Sequence, residues 1–65
     1  MKITIRAART NAGYIQKLAA KTLGISKNTL SSYENYKTKP DIETAKRMAS
    51  LYGLTVDDIA WSDGN

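Results

Sequence analysis

The stretch from residue 16 to residue 35 constrains the fold most, because its apolar spacing predicts two short helices joined by one tight turn. Leu23 closes the apolar stripe of the first helix, and Leu30 lies on that of the second. Gly24 stands where the first helix must end, since glycine tolerates the positive φ of a helix C-terminus. Ser26 then stands where an N-cap restarts the chain as a new helix.

Capping residues and apolar spacing predict helices on both sides of this pair. After a frayed start, the first helix begins behind the N-cap Thr4 and ends near Ala12. The fourth begins behind the N-cap Asp41, carries a core-facing stripe from Ile42 onward and ends at Tyr52.

A last short helix is predicted from a capping box formed by Thr55 and Asp58, with Ile59 on its apolar side. Residues 62–65 form a polar tail that we expect to be mobile. The prediction for residues 1–65 is therefore a single all-α domain of five helices, with no strand.

The composition restricts the chemistry that this chain can perform. Its 65 residues include no cysteine and no histidine, so disulfides, thiolate nucleophiles and histidine-based zinc sites are excluded. We therefore expect no enzyme, no metal and no cofactor. No stretch approaches the roughly 18 apolar residues of a membrane span, and no signal peptide follows Met1, so the expected location is the cytoplasm.

The charge is divided unevenly along the chain. Residues 1–39 hold eight basic residues against Glu34 alone, a balance of +7, whereas residues 40–65 hold two basic and five acidic residues, a balance of −3. Such a division favours one face for a polyanion. The charge alone is equally consistent with a solvated basic surface that has no function.

Together these residues resemble the Cro/cI-type (XRE-family) helix-turn-helix DNA-binding domain, a phage-repressor-like fold. The resemblance covers nearly the whole chain, and the motifs that carry it are Gln16, Ala20, Gly24, Ile25-Ser26, Leu30, Tyr33-Glu34-Asn35, Pro40 and Leu54-Thr55-Val56-Asp57. It implies a compact, lambda-repressor-like domain whose second and third helices form the helix-turn-helix. The implied function is sequence-specific binding of double-stranded DNA by a transcriptional regulator, most simply a repressor from a phage or mobile element.

The resemblance implies that the helix beginning at Lys27 enters the major groove. Lys27, Asn28 and Ser32 are then expected at base edges, with Ser31 as a further candidate. Their chemistry fits, because lysine donates to guanine, asparagine pairs with adenine and serine serves either base. The alternative for each residue is an ordinary solvated helix face.

Contacts to DNA phosphates are expected at both ends of the motif, where they fix its register. The candidates are Gln16, Thr29, Asn35, Lys37 and Thr38. Gln16 opens a helix, where free backbone N–H groups favour an anion. Arg9 and Glu34 resemble a structural ion pair between the first and third helices.

A homodimer on an inverted repeat is expected, because one such domain contacts too few base pairs for high specificity. Val56 and Trp61 are the candidate dimer contacts, and their alternative role is to close the core of the monomer. We expect no small-molecule effector. The rival functions are a protein-interaction module on the same fold and, less favoured, a small nuclease.

Three residues depart from the family pattern. Tyr36 stands where the family commonly has glycine, so the loop could take another course or the ring could lie on the DNA backbone. Leu18 occupies a position that is normally polar and Ala19 takes the place of the usual core leucine, so the second helix could rotate slightly or Leu18 could turn inward. Ile15 replaces the usual Ser or Thr cap of the second helix.

Overall fold

Four α-helices, one turn of 3₁₀ helix and two short strands make up the computed structural model, which describes residues 2–63. The helices are α1 (Ile5–Asn11), α2 (Gln16–Leu23), α3 (Lys27–Glu34) and α4 (Ile42–Leu51). The 3₁₀ turn is Val56–Asp58, and the strands are β1 (Ile3–Thr4) and β2 (Ile59–Ala60).

The predicted fifth helix is wrong, and so is the prediction that the chain has no strand. The capping pair is present, since Thr55 N donates to Asp58 Oδ2 at 2.9 Å, but it starts only three residues of 3₁₀ helix. The chain then extends and pairs in parallel with β1, so that Ile59 lies opposite Ile3. Pairing of the two ends buries Ile59 completely, and this gain from distant residues overrides the local helix signal.

Three of the four α-helices begin at the predicted N-caps. In each, the side-chain oxygen of the cap accepts a hydrogen bond from the backbone N–H three residues later, which satisfies a free donor of the first turn. The pairs are Thr4 with Ala7 at 3.0 Å, Ser26 with Thr29 at 3.0 Å and Asp41 with Thr44 at 2.9 Å. The hydrogen bonds from Thr44 hold the pKa of Asp41 below its usual value. As its sequence predicted, α2 has no such bond, because Ile15 precedes it.

All four helices end with the same backbone arrangement, in which a residue one or two positions past the helix adopts a positive φ and two backbone hydrogen bonds close the last turn. The residues with positive φ are Gly13 at 87°, Gly24 at 74°, Tyr36 at 59° and Gly53 at 75°. Three of these ends therefore use glycine as predicted, and the end of α3 uses a tyrosine.

The core lies where the four helices meet the strand pair. Its fully buried large side chains come from α1, α3, α4 and β2, and they are Ile5, Leu30, Met48 and Ile59. Ile42 does not join them, contrary to the prediction: it is 65% exposed, because it is the first residue of α4 and the inward stripe begins one turn later at Ala45. Leu18 does not turn inward and is 49% exposed.

No helix among residues 2–63 is both long enough and apolar enough to span a membrane. Of the predicted mobile tail, residues 64 and 65 lie outside the described residues.

Candidate nucleic-acid interface

The turn that joins α2 to α3 is held by contacts from α2 and from α4. Within the turn, Ile25 N donates to Ala20 O at 3.0 Å, and Ala20 is buried where the two helices approach. At the C-terminus of α2, Arg47 Nη2 donates to Leu23 O at 3.0 Å. Arg47 therefore ties α4 to the end of α2, where a cation also interacts favourably with the helix dipole.

Sequence reasoning missed Arg47. Its partner is a backbone carbonyl 24 residues away, and no residue type signals such a carbonyl. The one signal in the sequence is that Arg47, like Lys46, is a basic residue within the acidic half of the chain.

The exposed side of α3 carries the predicted base-reading residues. Lys27 and Asn28 are exposed, and Ser31 and Ser32 are half-buried. Because residues three and four apart are neighbours on a helix, these four side chains share one surface. The opposite side of α3 is fixed in the core by Leu30.

Three of the residues that follow α3, Asn35, Lys37 and Thr38, are exposed, and the first two are hydrogen-bonded to its last turn. Lys37 N donates to Ser32 O at 2.9 Å, and Asn35 Nδ2 donates to Ser31 O at 3.0 Å. Thr38, like Lys37, is exposed. Three of the five candidate phosphate contacts, Asn35, Lys37 and Thr38, therefore lie together at the C-terminal end of α3.

The other two candidate phosphate contacts have side-chain partners within the protein. Gln16 Nε2 donates to Glu34 Oε1 at 3.1 Å, which leaves the backbone N–H of Gln16 at the start of α2. The Thr29 hydroxyl lies 2.7 Å from Ser26 Oγ, within the N-terminal cap of α3. If the side chain of Gln16 or Thr29 also binds a phosphate, its amide or hydroxyl group must serve both the phosphate and the partner within the protein.

Arg9 and Glu34 form a buried ion pair between α1 and α3. Arg9 Nε lies 2.6 Å from Glu34 Oε2, and Arg9 Nη2 donates to Glu34 Oε1 at 3.3 Å. Arg9 Nη1 also donates to Tyr14 O at 2.7 Å. The Glu34 side chain is 0% exposed, so the pair fixes the orientation of α3 relative to α1 from inside the domain.

The expectation that the loop takes another course at Tyr36 is wrong, and the side chain of Tyr36 turns toward the interior of the domain. The loop keeps the left-handed backbone of the family pattern, with φ of 59°, and the ring packs against the core. Its hydroxyl donates to Ala60 O at 3.1 Å. The side chain can turn inward because β2, which was not predicted, supplies both a surface and an acceptor.

The two candidate dimer residues contact each other within the monomer. Val56 and Trp61 are half-buried against the core, and Trp61 Nε1 donates to Val56 O at 2.9 Å. Each retains some exposed surface, so this arrangement is compatible with core closure and with a further contact to a second copy.

No three acidic, cysteine or histidine side chains within residues 2–63 gather closely enough to hold a metal ion.

Comparisons with known proteins agree with this geometry. The helix-turn-helix family model matches residues 5–59. The HTH-type transcriptional regulator ImmR of Bacillus subtilis (strain 168) is 39% identical over 59 residues, which are 91% of this chain and 46% of ImmR. The SPbeta prophage-derived uncharacterized HTH-type transcriptional regulator YonR of the same organism is 32% identical over 53 residues, 82% of this chain and 49% of YonR.

The cryptic phage CTXphi transcriptional repressor RstR of Vibrio cholerae is 31% identical over 55 residues, which are 85% of this chain and 50% of RstR. The chain thus spans about half the length of these curated relatives. No solved structure matches it significantly. The family match covers most of the chain and includes α2, the turn and α3, so the protein belongs to the helix-turn-helix family, of the Cro/cI (XRE) type that its sequence resembles.

Proposed function

We propose that this protein is a sequence-specific regulator of transcription that binds double-stranded DNA by inserting α3 into the major groove. The observation that carries the proposal is the contrast between the two sides of α3. Lys27 and Asn28 are exposed on one side, while Leu30 and Glu34 fix the other side in the interior. A rigidly held helix with free polar side chains is what base readout requires.

The dimensions of the helix support this role. An α-helix with its side chains is roughly 10–12 Å across, and the major groove is about 12 Å wide. The eight residues of α3 span about 12 Å along the helix axis. In this position Lys27, Asn28, Ser32 and Ser31 would face base edges, while Asn35, Lys37 and Thr38 would meet the phosphate backbone beside them.

We further propose that the protein acts as a homodimer on an inverted repeat. Half-sites one helical turn apart are about 34 Å from centre to centre. The Cα atoms of this domain extend over 27 × 23 × 20 Å, so two copies bound at that spacing would lie side by side. Val56 and Trp61 are the proposed contacts, through the surface that they leave exposed.

Repression is the proposed outcome of binding, because a DNA-bound domain of this size can block access to a promoter without contacts to any other protein. One of the relatives described above is named as a phage transcriptional repressor. The proposal includes no enzymatic activity and no small-molecule effector, and it assigns the protein to the cytoplasm.

The experiment that tests the proposal is a selection of random duplex DNA by the purified protein at physiological salt, followed by sequencing of the retained pool. We expect enrichment of an inverted repeat with half-sites one turn apart. Enrichment of a single half-site would support base readout and refute the dimer. If the protein retains no duplex DNA, and lowering the salt concentration does not change this, DNA binding is refuted and a protein-interaction module is favoured.

A further inference from the structure

Arg6 lies beside the buried ion pair but is not part of it. Three donors, two from α1 and one from α2, converge on Glu34 Oε1: Arg9 Nη2 at 3.3 Å, Gln16 Nε2 at 3.1 Å and Arg6 Nε at 3.6 Å. Arg9 holds the second carboxylate oxygen as well, at 2.6 Å. Glu34 is thus satisfied by Arg9 and Gln16, and Arg6 makes the longest of these contacts.

The guanidinium of Arg6 retains most of its capacity to bind an anion. Its side chain is 58% exposed, and its one hydrogen bond to another described residue goes to Asn35 Oδ1 at 3.4 Å. A guanidinium carries five N–H donors, so most of those of Arg6 face solvent. Because Glu34 supplies one negative charge to two guanidiniums, one positive charge is in excess, and it lies at Arg6.

The position of Arg6 matters as much as its charge. It contacts Asn35 at the end of α3 and shares Glu34 Oε1 with Gln16 at the start of α2. The sequence assigns both of these neighbours to phosphate contacts, and Arg6 brings a cation to them from α1. Arg9 pairs with the carboxylate of Glu34 and offsets its negative charge, which reduces the repulsion that Glu34 would exert on an anion at the surface.

We propose that Arg6 binds a phosphate of the DNA backbone, in a site that it shares with Gln16 and Asn35. This inference rests on the proposed function and adds to it a contact from α1, outside the helix-turn-helix. The guanidinium fork matches two oxygens of one phosphate. The contacts that Arg6 would give up are 3.4 and 3.6 Å long, and Glu34 would keep its two other partners.

The test is the salt dependence of binding to a duplex carrying the selected inverted repeat, for the wild-type protein and for Arg6→Gln, Arg6→Lys and Lys46→Gln. Arg6→Gln should reduce the slope of log K against log [salt] by about 0.9 per bound protomer, and so by about 1.8 for a dimer on the inverted repeat; each lost contact corresponds to about an eightfold loss of affinity at 0.1 M salt. Arg6→Lys keeps the charge and should keep the slope. Lys46 is exposed on α4, within the acidic half, so Lys46→Gln is the matched control and should leave the slope unchanged.

The outcomes separate this inference from the function on which it rests. A wild-type protein that does not bind duplex DNA would overturn both. A wild-type protein that binds normally, with the same slope for Arg6→Gln, would overturn the phosphate site and leave the proposed function intact. Thermal unfolding of each variant detects a purely structural role of Arg6. Such a role predicts a lower melting temperature for Arg6→Gln and an unchanged slope of log K against log [salt].

Discussion

Replacing Tyr36 separates the strain at the end of α3 from the contacts that compensate for it. At a φ of 59°, a residue with a Cβ is strained by about 1–2 kcal/mol relative to glycine. The ring and the hydroxyl offset this strain, through packing on the core and the 3.1 Å hydrogen bond to Ala60 O. Three substitutions at this one position test each contribution in turn.

Tyr36→Phe removes only the hydrogen bond and should lower the free energy of unfolding by about 1 kcal/mol. Tyr36→Ala also removes most of a half-buried ring while the strain remains, so its loss should be about 2–3 kcal/mol. Tyr36→Gly loses the same contacts but relieves the strain, at a cost of about 0.5–1 kcal/mol in chain entropy. The glycine variant should therefore be about 0.5–1 kcal/mol more stable than the alanine variant, the reverse of their order within a helix.

Urea unfolding followed by circular dichroism measures these differences. For a domain of this size, 1 kcal/mol also corresponds to about 4–8 °C in melting temperature, so thermal unfolding provides an independent check. An alanine variant as stable as the glycine variant would refute the strain. A phenylalanine variant as stable as the wild type would refute the contribution of the hydroxyl.

Three further predictions concern the core and the proposed dimer. Glu34→Gln should cost about 3–5 kcal/mol, because it leaves the buried Arg9 guanidinium without a carboxylate; calorimetry that shows a loss below 1 kcal/mol would contradict the role of the pair. Burial, together with the smaller effect of nearby Glu34, raises the pKa of Tyr52 to about 12. Since the folded pKa lies above the unfolded value near 10, the stability from this group is complete below pH 10 and is lost as the pH rises toward 12, by about 2–3 kcal/mol. The Tyr52→Phe variant should not lose this part of its free energy of unfolding at alkaline pH. If the free energy of unfolding depends on pH in the same way in both proteins, the raised pKa of Tyr52 is refuted. Trp61→Ala should reduce the increase in apparent molecular mass with protein concentration that sedimentation measures for a dimer. An unchanged increase would show that Trp61 is not in the dimer interface.

The sequence predicted those features that short-range chemistry determines. The caps at Thr4, Ser26 and Asp41 each act within three residues, and the glycine helix ends need only a permissive φ at one position. The positions of α2, the turn and α3 followed from these signals together with apolar spacing, because in this segment local preference and tertiary packing agree.

The features that the sequence did not predict depend on residues far apart in the chain. The strand pair joins Ile3 to Ile59, across nearly the whole domain, and neither two-residue strand has a periodicity to detect. The inward course of Tyr36 depends in turn on β2. In the candidate interface, the exposed face of α3 followed from helical spacing, whereas the bond from Arg47 to Leu23 O and the position of Arg6 required the packed fold.

Base readout by α3 is tested by comparing Asn28→Ala with Lys37→Ala. Dissociation constants are measured for the selected inverted repeat and for a scrambled duplex at the same salt concentration. Asn28→Ala should cost about 1–3 kcal/mol on the selected sequence alone and so reduce the specificity ratio. Lys37→Ala should weaken binding to both duplexes equally and reduce the salt slope by about one per bound protomer. Equal weakening of both duplexes by Asn28→Ala would contradict base readout by this helix.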